Sequence, residues 1–205
     1  GIGNFERIAA EVGSDSVMVG TTAQGATLVA PGRIRHGGNG PTYLGEFPRG
    51  VSVQIDSVVN LFRQAGLDAH ASDCMETLVW EKLLVNVGIN AITALTGIRN
   101  GVIADSEAAR ELSREAVEEA LRVTRLRGIA VRADIVERVV EVARATARNR
   151  SSMGQDVDRR KRTEIDAING AIVRYGTEAG LDLPVNRTLT RLMKTIEDGY
   201  QQHFA

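Results

Sequence analysis

Lys82, Asn86 and Asn90 follow one another at intervals of four residues in the segment LVWEKLLVNVGINAITALTG, residues 78–97. In an α-helix a step of four advances ~400°, so the three side chains drift only ~40° per step and line one stripe. An ammonium can stabilise a developing oxyanion or hand over a proton, and two amides can orient it or hold a polar ligand. The flanking residues are Leu, Val, Ile and Ala, so the helix is expected to be largely buried. A buried ammonium must be paired or hydrogen-bonded. Two readings fit the spacing. In one, burial lowers the Lys82 pKa and makes it a better acid toward a ligand. In the other, Lys82 pairs with Glu76 or Glu81 near the helix start and the two Asn residues satisfy nearby backbone.

A second group of polar residues occupies NRSSMGQDVDRRKRTEIDAING, residues 149–170. Ser151, Ser152, Gln155 and Asp156 fall at an expected helix start, where free N–H groups attract anions. Glu164 comes about two turns later in a helix expected from about Val157 to Gly180, and Asp166 and Asn169 follow. The charge run Asp158 to Arg162 reads as a solvated face. Taken alone, Glu164 reads equally as an exposed helix residue.

The elements that must position these groups change character along the chain. Phe5–Val12 predicts a short helix. The stretches 16–23, 26–38 and 41–47 are rich in Val, Thr and Ile, with glycines between them, and predict strands joined by turns. Such strands need a covering layer, and none is evident in the first fifty residues. From Gly50 onward the pattern is helical: 51–66 ending at Gly66, Asp73 to Leu95, 106–128 capped by Ser106, 132–149 capped near Asp134, and a last helix from Pro184 through Phe204. Residues 67–72 predict a short extended piece. The expected fold class is therefore mainly α: a bundle of about six helices behind a short β-rich remnant of an α/β domain. Residues 1–50 are expected to be the closing strands of one domain and residues 51–205 the helical one.

Composition bounds the function. The 205 residues carry 25 basic and 26 acidic side chains, and 43% are hydrophobic. This balance points to no nucleic acid and no anionic membrane surface as partner. Charges interrupt every apolar run, so no membrane-spanning helix is expected. A single cysteine, Cys74, suits a reducing, cytoplasmic setting. No signal peptide is visible, and the chain opens without Met, which suggests a processed, excised or truncated product. GIG at the start and GGNG at 37–40 are glycine clusters, but neither follows the strand–turn–helix GxGxxG pattern of a dinucleotide site, and Pro41 makes GGNG a turn. There is no Walker sequence, no HExxH and no Cys/His set, and His36, His70 and His203 are scattered, so no metal site is expected.

Together the two polar groups resemble the ketopantoate reductase (2-dehydropantoate 2-reductase) family. That family places Asn four and eight positions after a Lys on a long helix, as in WEKLLVNVGINAITALTG. Its second block, N-x-S-S-M-x-Q-D then T-E-I-D-x-I-N-G, matches NRSSMGQD and TEIDAING. GIGNFERIAAEVG resembles the family's segment after an Asn-Gly turn, and GTTAQGATLVAPGRIRHGGNGPTYLG its closing strands, so the resemblance covers nearly the whole chain. It implies an NADPH-binding Rossmann domain joined to an all-helical domain like that of 6-phosphogluconate dehydrogenase, with the active site in the cleft between them. It also implies reduction of a small 2-keto acid, ketopantoate, for pantothenate and coenzyme A synthesis. By the resemblance Lys82 is the general acid, Glu164 the second catalytic residue, and Asn86, Asn90, Asn100, Asn149 and Ser152 bind or orient substrate. No cofactor-binding residue is assigned, because the family's Gly-rich fingerprint has no counterpart in this chain; the chain alone is expected to bind NADPH poorly and turn over little. Two alternatives accompany this reading: a reductase of another 2-keto acid in the same family, and a non-enzymatic helical module for oligomerisation or binding, with a homodimer among the assemblies expected.

Overall fold

The computed structural model describes residues 1–47 and 50–200. His203 and the expected end of the last helix lie outside them. Contacts divide the chain between Val79 and Trp80. Gly3–Val79 form one compact unit; Trp80 onward, with Gly1 and Ile2, form the other.

In the first unit, helix α1 (Asn4–Val12) precedes strands β1 (Met18–Thr22), β2 (Gly25–Ala30), β3 (Arg33–Gly38) and β4 (Thr42–Glu46). The stretch 26–38 is two strands rather than one. Pro31 fixes a turn, Gly32 adopts φ 71° beside it, and β2 and β3 pair antiparallel. β1 runs antiparallel to β4 from Met18↔Glu46 to Thr22↔Thr42. β5 (Ala69–Ala71) joins the other edge of β4 in parallel, giving the order β1-β4-β5. A parallel neighbour needs a crossover, and helix α2 (Val53–Gln64) supplies it. Ser52 opens α2 by accepting from the Ile55 N–H at 3.3 Å. Ile55 and Val59 then pack on Ala69, Leu44, Phe62 and Ala71. That is the covering layer the first fifty residues lacked. With β5 extending the sheet and α2 covering it, the compact unit that holds the strands runs on to Val79.

In the helical unit, α3 (Met75–Thr96) enters at Trp80, followed by α4 (Val102–Asp105), α5 (Glu107–Leu126), α6 (Ile135–Ala145), α7 (Ser152–Asp158), α8 (Asn169–Glu178) and α9 (Pro184–Gly199). One core joins them: Leu84, Val87 and Ile92 of α3 with Val117 and Val123 of α5, Val139 of α6, Met153 of α7, Ile172 of α8 and Met193 of α9. α4 is too short for periodicity to announce. α3, contrary to expectation, is long and apolar enough by length and composition to cross a membrane. The charges Glu81 and Lys82 sit near one end and leave a long apolar run after them, but Leu84, Val87, Ala91 and Ile92 are buried in the unit's core, and a core helix passes the same test.

The helix expected from Val157 to Gly180 is broken. α7 ends at Asp158, Arg160 takes a left-handed φ of 51°, and a 3-10 turn over Ile165–Ala167 precedes α8. Arg160 N–H donates to Val157 O at 2.9 Å and Lys161 N–H to Asp156 O at 2.9 Å, so the backbone folds back on the end of α7. Glu164 therefore stands on a loop, at the entry to the 3-10 turn.

A buried polar network links α5, α8, α9 and α3. Asn186, fully buried, donates to Ala116 O at 2.9 Å and Glu119 Oε2 at 2.8 Å, and accepts from Asn169 Nδ2 at 2.9 Å. Asn169 Nδ2 also reaches Val87 O at 3.4 Å. Glu119 in turn accepts from the Val185 and Asn186 N–H groups, at 2.8 and 2.9 Å. Elsewhere α3 meets its neighbours closely: a Cβ on Gly88 would lie 2.8 Å from Ser113 Oγ, 2.8 Å from Val139 Cγ1 and 2.9 Å from Val117 Cγ2.

Both features predict large losses of stability. Asn186→Ala strands buried partners on two helices and is expected to cost about 2–4 kcal/mol in urea unfolding. Arg138→Ala, on an exposed Glu141 pair, is expected to cost under ~0.5 kcal/mol; equal losses for the two would contradict the network. Gly88→Ala forces α3 away from α5 and α6 and is expected to cost about 1–3 kcal/mol, read as a lowered thermal midpoint.

Candidate active site

α3 presents Lys82, Asn86 and Asn90 as the stripe the spacing predicts, but with a gradient of exposure. Lys82 is exposed, Asn86 half-buried and Asn90 buried. The expectation of a buried Lys82 is therefore corrected: the stripe begins at the helix's open edge and runs inward. Enough protein still crowds Lys82 for desolvation to lower its pKa below the ordinary lysine value, while the charge of Glu164 acts in the opposite sense. Because the ammonium keeps solvent contact, water screens these charges. Glu81, the residue before Lys82, accepts from the Arg132 N–H at 2.9 Å.

Glu164, on the broken segment between α7 and α8, is exposed and near enough to act electrostatically on Lys82. It acts on Asp156 as well. There desolvation is the larger cause raising the carboxyl pKa, Glu164 adds to it, and Lys161 and Arg159 oppose it.

The second half of the stripe meets α7. Asn90 Nδ2 lies 3.5 Å from Ser152 Oγ, a contact at the outer limit of hydrogen bonding. Ser152 is exposed, so its hydroxyl is open to a ligand. One residue before it, Ser151 is buried and caps α7, accepting from the Gly154 N–H at 3.1 Å and from Thr93 Oγ1 at 2.8 Å. Arg150 donates to Thr93 O at 2.5 Å and Ile98 O at 3.0 Å, and forms two 3.0 Å bonds to the Asp158 carboxylate. Gln155 Nε2 returns to Arg150 O at 3.0 Å. Much of the NRSSMGQD block thus fastens α7 to the end of α3. Arg150 and Thr93 escaped the sequence reading: an Arg eight residues before its carboxylate has no short helical spacing, and Thr93, only ~20° round the axis from Lys82, falls on the stripe but outside its four-residue repeat.

Asn100 and Asn149 are brought to each other rather than to Lys82. The Asn100 N–H donates to Asn149 O at 3.1 Å, and Asn100 Nδ2 donates to Thr146 Oγ1 at 3.0 Å. Both lie past the far end of α3, which at ~1.5 Å of rise per residue is ~20 Å along the axis from Lys82. Asn100 Oδ1 is buried without a hydrogen-bond partner.

The described residues do not form a dinucleotide cradle. Gly37 and Gly38 of GGNG lie in the β3 edge facing Gly25, and a Cβ on Gly40 would lie 2.6 Å from the Ala23 Cβ, so strand packing accounts for these glycines. No cluster of three or more His, Cys, Asp or Glu suited to a metal occurs among the described residues.

Residues 75–197 match the family model described as ketopantoate reductase PanE/ApbA C terminal, and residues 1–49 match ketopantoate reductase PanE/ApbA. Among curated relatives, the 2-dehydropantoate 2-reductase of Archaeoglobus fulgidus is 40% identical over 97% of this chain and 66% of its own length. That of Halobacterium salinarum is 38% identical over 95% of this chain and 64% of its own. The chain thus spans just under two thirds of these relatives. A crystal structure of 2-dehydropantoate 2-reductase from Geobacter metallireducens superposes with a TM-score of 0.87 at 28% identity, covering 95% of this chain and 65% of that one. D-mandelate dehydrogenase in complex with NADH gives 0.88 at 26% identity, covering 98% and 69%. With a family model spanning most of the helical unit and a second spanning the strands, the chain belongs to the ketopantoate reductase family.

Proposed function

We propose that this chain is the substrate-binding part of an enzyme that reduces 2-dehydropantoate to pantoate with NADPH, in pantothenate and coenzyme A synthesis. The observation that carries the proposal is Lys82: an open ammonium, loosened by desolvation and opposed by one nearby carboxylate, at the head of an amide stripe. The matched relatives bear the name of this reaction.

The cofactor, when bound, supplies the hydride that reaches the carbonyl carbon. This chain's residues serve the oxygen. Negative charge grows there as the carbonyl is reduced, and an ammonium at that position stabilises it in the transition state more than in the ground state. Lys82 Nζ then gives its proton to the oxygen, leaving a neutral amine and an alcohol. The lowered pKa makes that transfer easier, and the Glu164 charge keeps Lys82 protonated before it. Asn86, Asn90 and Ser152 offer neutral donors to the substrate carboxylate and hydroxyl. Asn100 and Asn149, joined beyond the far end of α3, serve the substrate indirectly in this proposal, by fixing the chain that leads into Ser152. A homodimer and a cytoplasmic location are part of this reading, the latter supported by the lone, exposed Cys74.

A second reading, another 2-keto acid as substrate, is favoured by the close superposition on D-mandelate dehydrogenase. Steady-state rates with 2-dehydropantoate against other 2-keto acids, each with NADPH and NADH, separate the two. They are measured in the longest gene product that carries this chain. A kcat/KM highest for 2-dehydropantoate with NADPH is expected.

In the same protein Lys82→Ala is expected to lower kcat by about 10²–10⁴-fold with the fold intact. An unchanged rate in a folded variant would favour a non-catalytic helical module. Activity requires protonated Lys82, so the rate should fall as pH rises through its lowered pKa, at lower pH than an ordinary lysine would dictate. Glu164→Gln removes the charge that raises that pKa and should move this basic limb to still lower pH. A limb that stays in place would remove Glu164 from the proton chemistry.

A further inference from the structure

Glu197, on the last turn of α9, is thirty-three residues from Glu164 and has no place in the substrate assignment. One of its carboxylate oxygens, Oε1, accepts from the Thr163 N–H at 2.7 Å and from Thr163 Oγ1 at 2.6 Å. The Thr163 hydroxyl oxygen in turn accepts from the Ile165 N–H at 3.2 Å. The residues bonded in this way lie immediately before and after Glu164. Beyond them Ile165 and Ile168 are fully buried, which fixes the far side of the turn in the core. No regular helix holds Glu164, because α7 has ended and α8 has not begun.

We infer that Glu197 is a positioning residue: through Thr163 it holds the loop that aims Glu164 at Lys82. This rests on the proposed reaction and deepens it, since it names what places the second carboxylate. Charge-assisted bonds to a carboxylate are about twice as strong as neutral ones, and here two converge on one oxygen in a half-buried setting. A second α9 contact, Lys194 Nζ to Asp166 Oδ1 at 2.7 Å, is exposed on both sides. Such pairs hold little, so Lys194 serves as the control on the same helix. The charged groups acting on Lys82 and on this loop are Glu164, whose carboxylate the Gly1 ammonium meets at 3.4 Å, with Asp156, Lys161 and Arg159 around it.

The test compares kcat, KM and the pH profile of Glu197→Ala, Glu197→Gln, Thr163→Val, Lys194→Ala and Glu164→Gln in the longest gene product carrying this chain, with folded fraction measured in parallel. Glu197→Ala is expected to lower kcat roughly ten- to hundredfold per folded molecule, the range set by a small misplacement of a reacting group. It should also move the basic limb to lower pH, as Glu164→Gln does, because a displaced Glu164 no longer supports the Lys82 proton. Glu197→Gln keeps an acceptor oxygen and should restore most of the rate. Thr163→Val loses both hydroxyl bonds, to Glu197 and from the Ile165 N–H, but keeps the Thr163 N–H bond to Glu197, and should give a smaller loss with the same direction of limb shift. Lys194→Ala should match the parent. If Glu197→Ala does not fold, Glu197→Gln and Thr163→Val decide between them: a limb shift in Thr163→Val with rate retained in Glu197→Gln upholds the role. A folded Glu197→Ala, or Thr163→Val where the alanine does not fold, with parental rate and limb overturns it, as does a loss of stability with unchanged rate per folded molecule. If Glu164→Gln itself leaves rate and limb unchanged, the failure lies with the proposed role of Glu164.

Discussion

Arg150 holds the end of α3 with a side chain. The last carbonyls of a helix have no partner within it, and Arg150 answers one of them, at Thr93, and another carbonyl just beyond the helix, at Ile98, while Asp158 balances its charge with a two-bonded carboxylate. The guanidinium side chain is only 18% exposed, so the pair is more than a surface ornament. Asp158 responds with a carboxyl held below its usual pKa, chiefly by the Arg150 bond. Because Arg150 directly precedes the Ser151–Ser152 start of α7, this clasp decides where Ser152 stands relative to Asn90. In the proposed reaction, a substrate group held there would depend on this joint.

α3 can carry a polar stripe because its remaining surface is packed so closely. Gly88, between Asn86 and Asn90 in sequence, lets α5 and α6 approach to the distance of its missing Cβ. Val87 offers its side chain to the core and its carbonyl to Asn169. The exposure gradient from Lys82 to Asn90 follows: one end of the stripe meets solvent, and the other sinks against α7. A proton donor belongs at the open end, where reactant and solvent reach it, and orienting amides belong at the closed end, where geometry is tight.

The helices were legible wherever apolar period, cap and stop agreed. Ser106 and Gly128 marked α5, and Pro184 the start of α9, to within a residue or two. The stripe on α3 was legible from spacing alone. What the sequence could not show were features set by partners distant along the chain. The break after Asp158 looks helical residue by residue, and only the fold-back of Lys161 on Asp156 and the grip on Thr163 reveal it. The covering layer for the first strands came from α2 and β5, beyond the composition change near residue 50. Arg150 was hidden for the same reason, since its carbonyl partners lie more than fifty residues upstream. The burial of Lys82 was overread because apolar neighbours describe a helix's average and not each of its faces.

Glu119 does for α9 what a capping residue usually does from within the same few residues. α9 opens with Leu183 and Pro184, neither of which can accept a hydrogen bond through its side chain, and its free N–H groups at Val185 and Asn186 are answered from the middle of α5. Starting a helix is its costly step, and here the partner that stabilises the start lies far back along the chain. Glu119 is synthesised before α9, so the first turn of α9 takes its acceptor from an element made earlier, and the start of one helix is coupled to the middle of another.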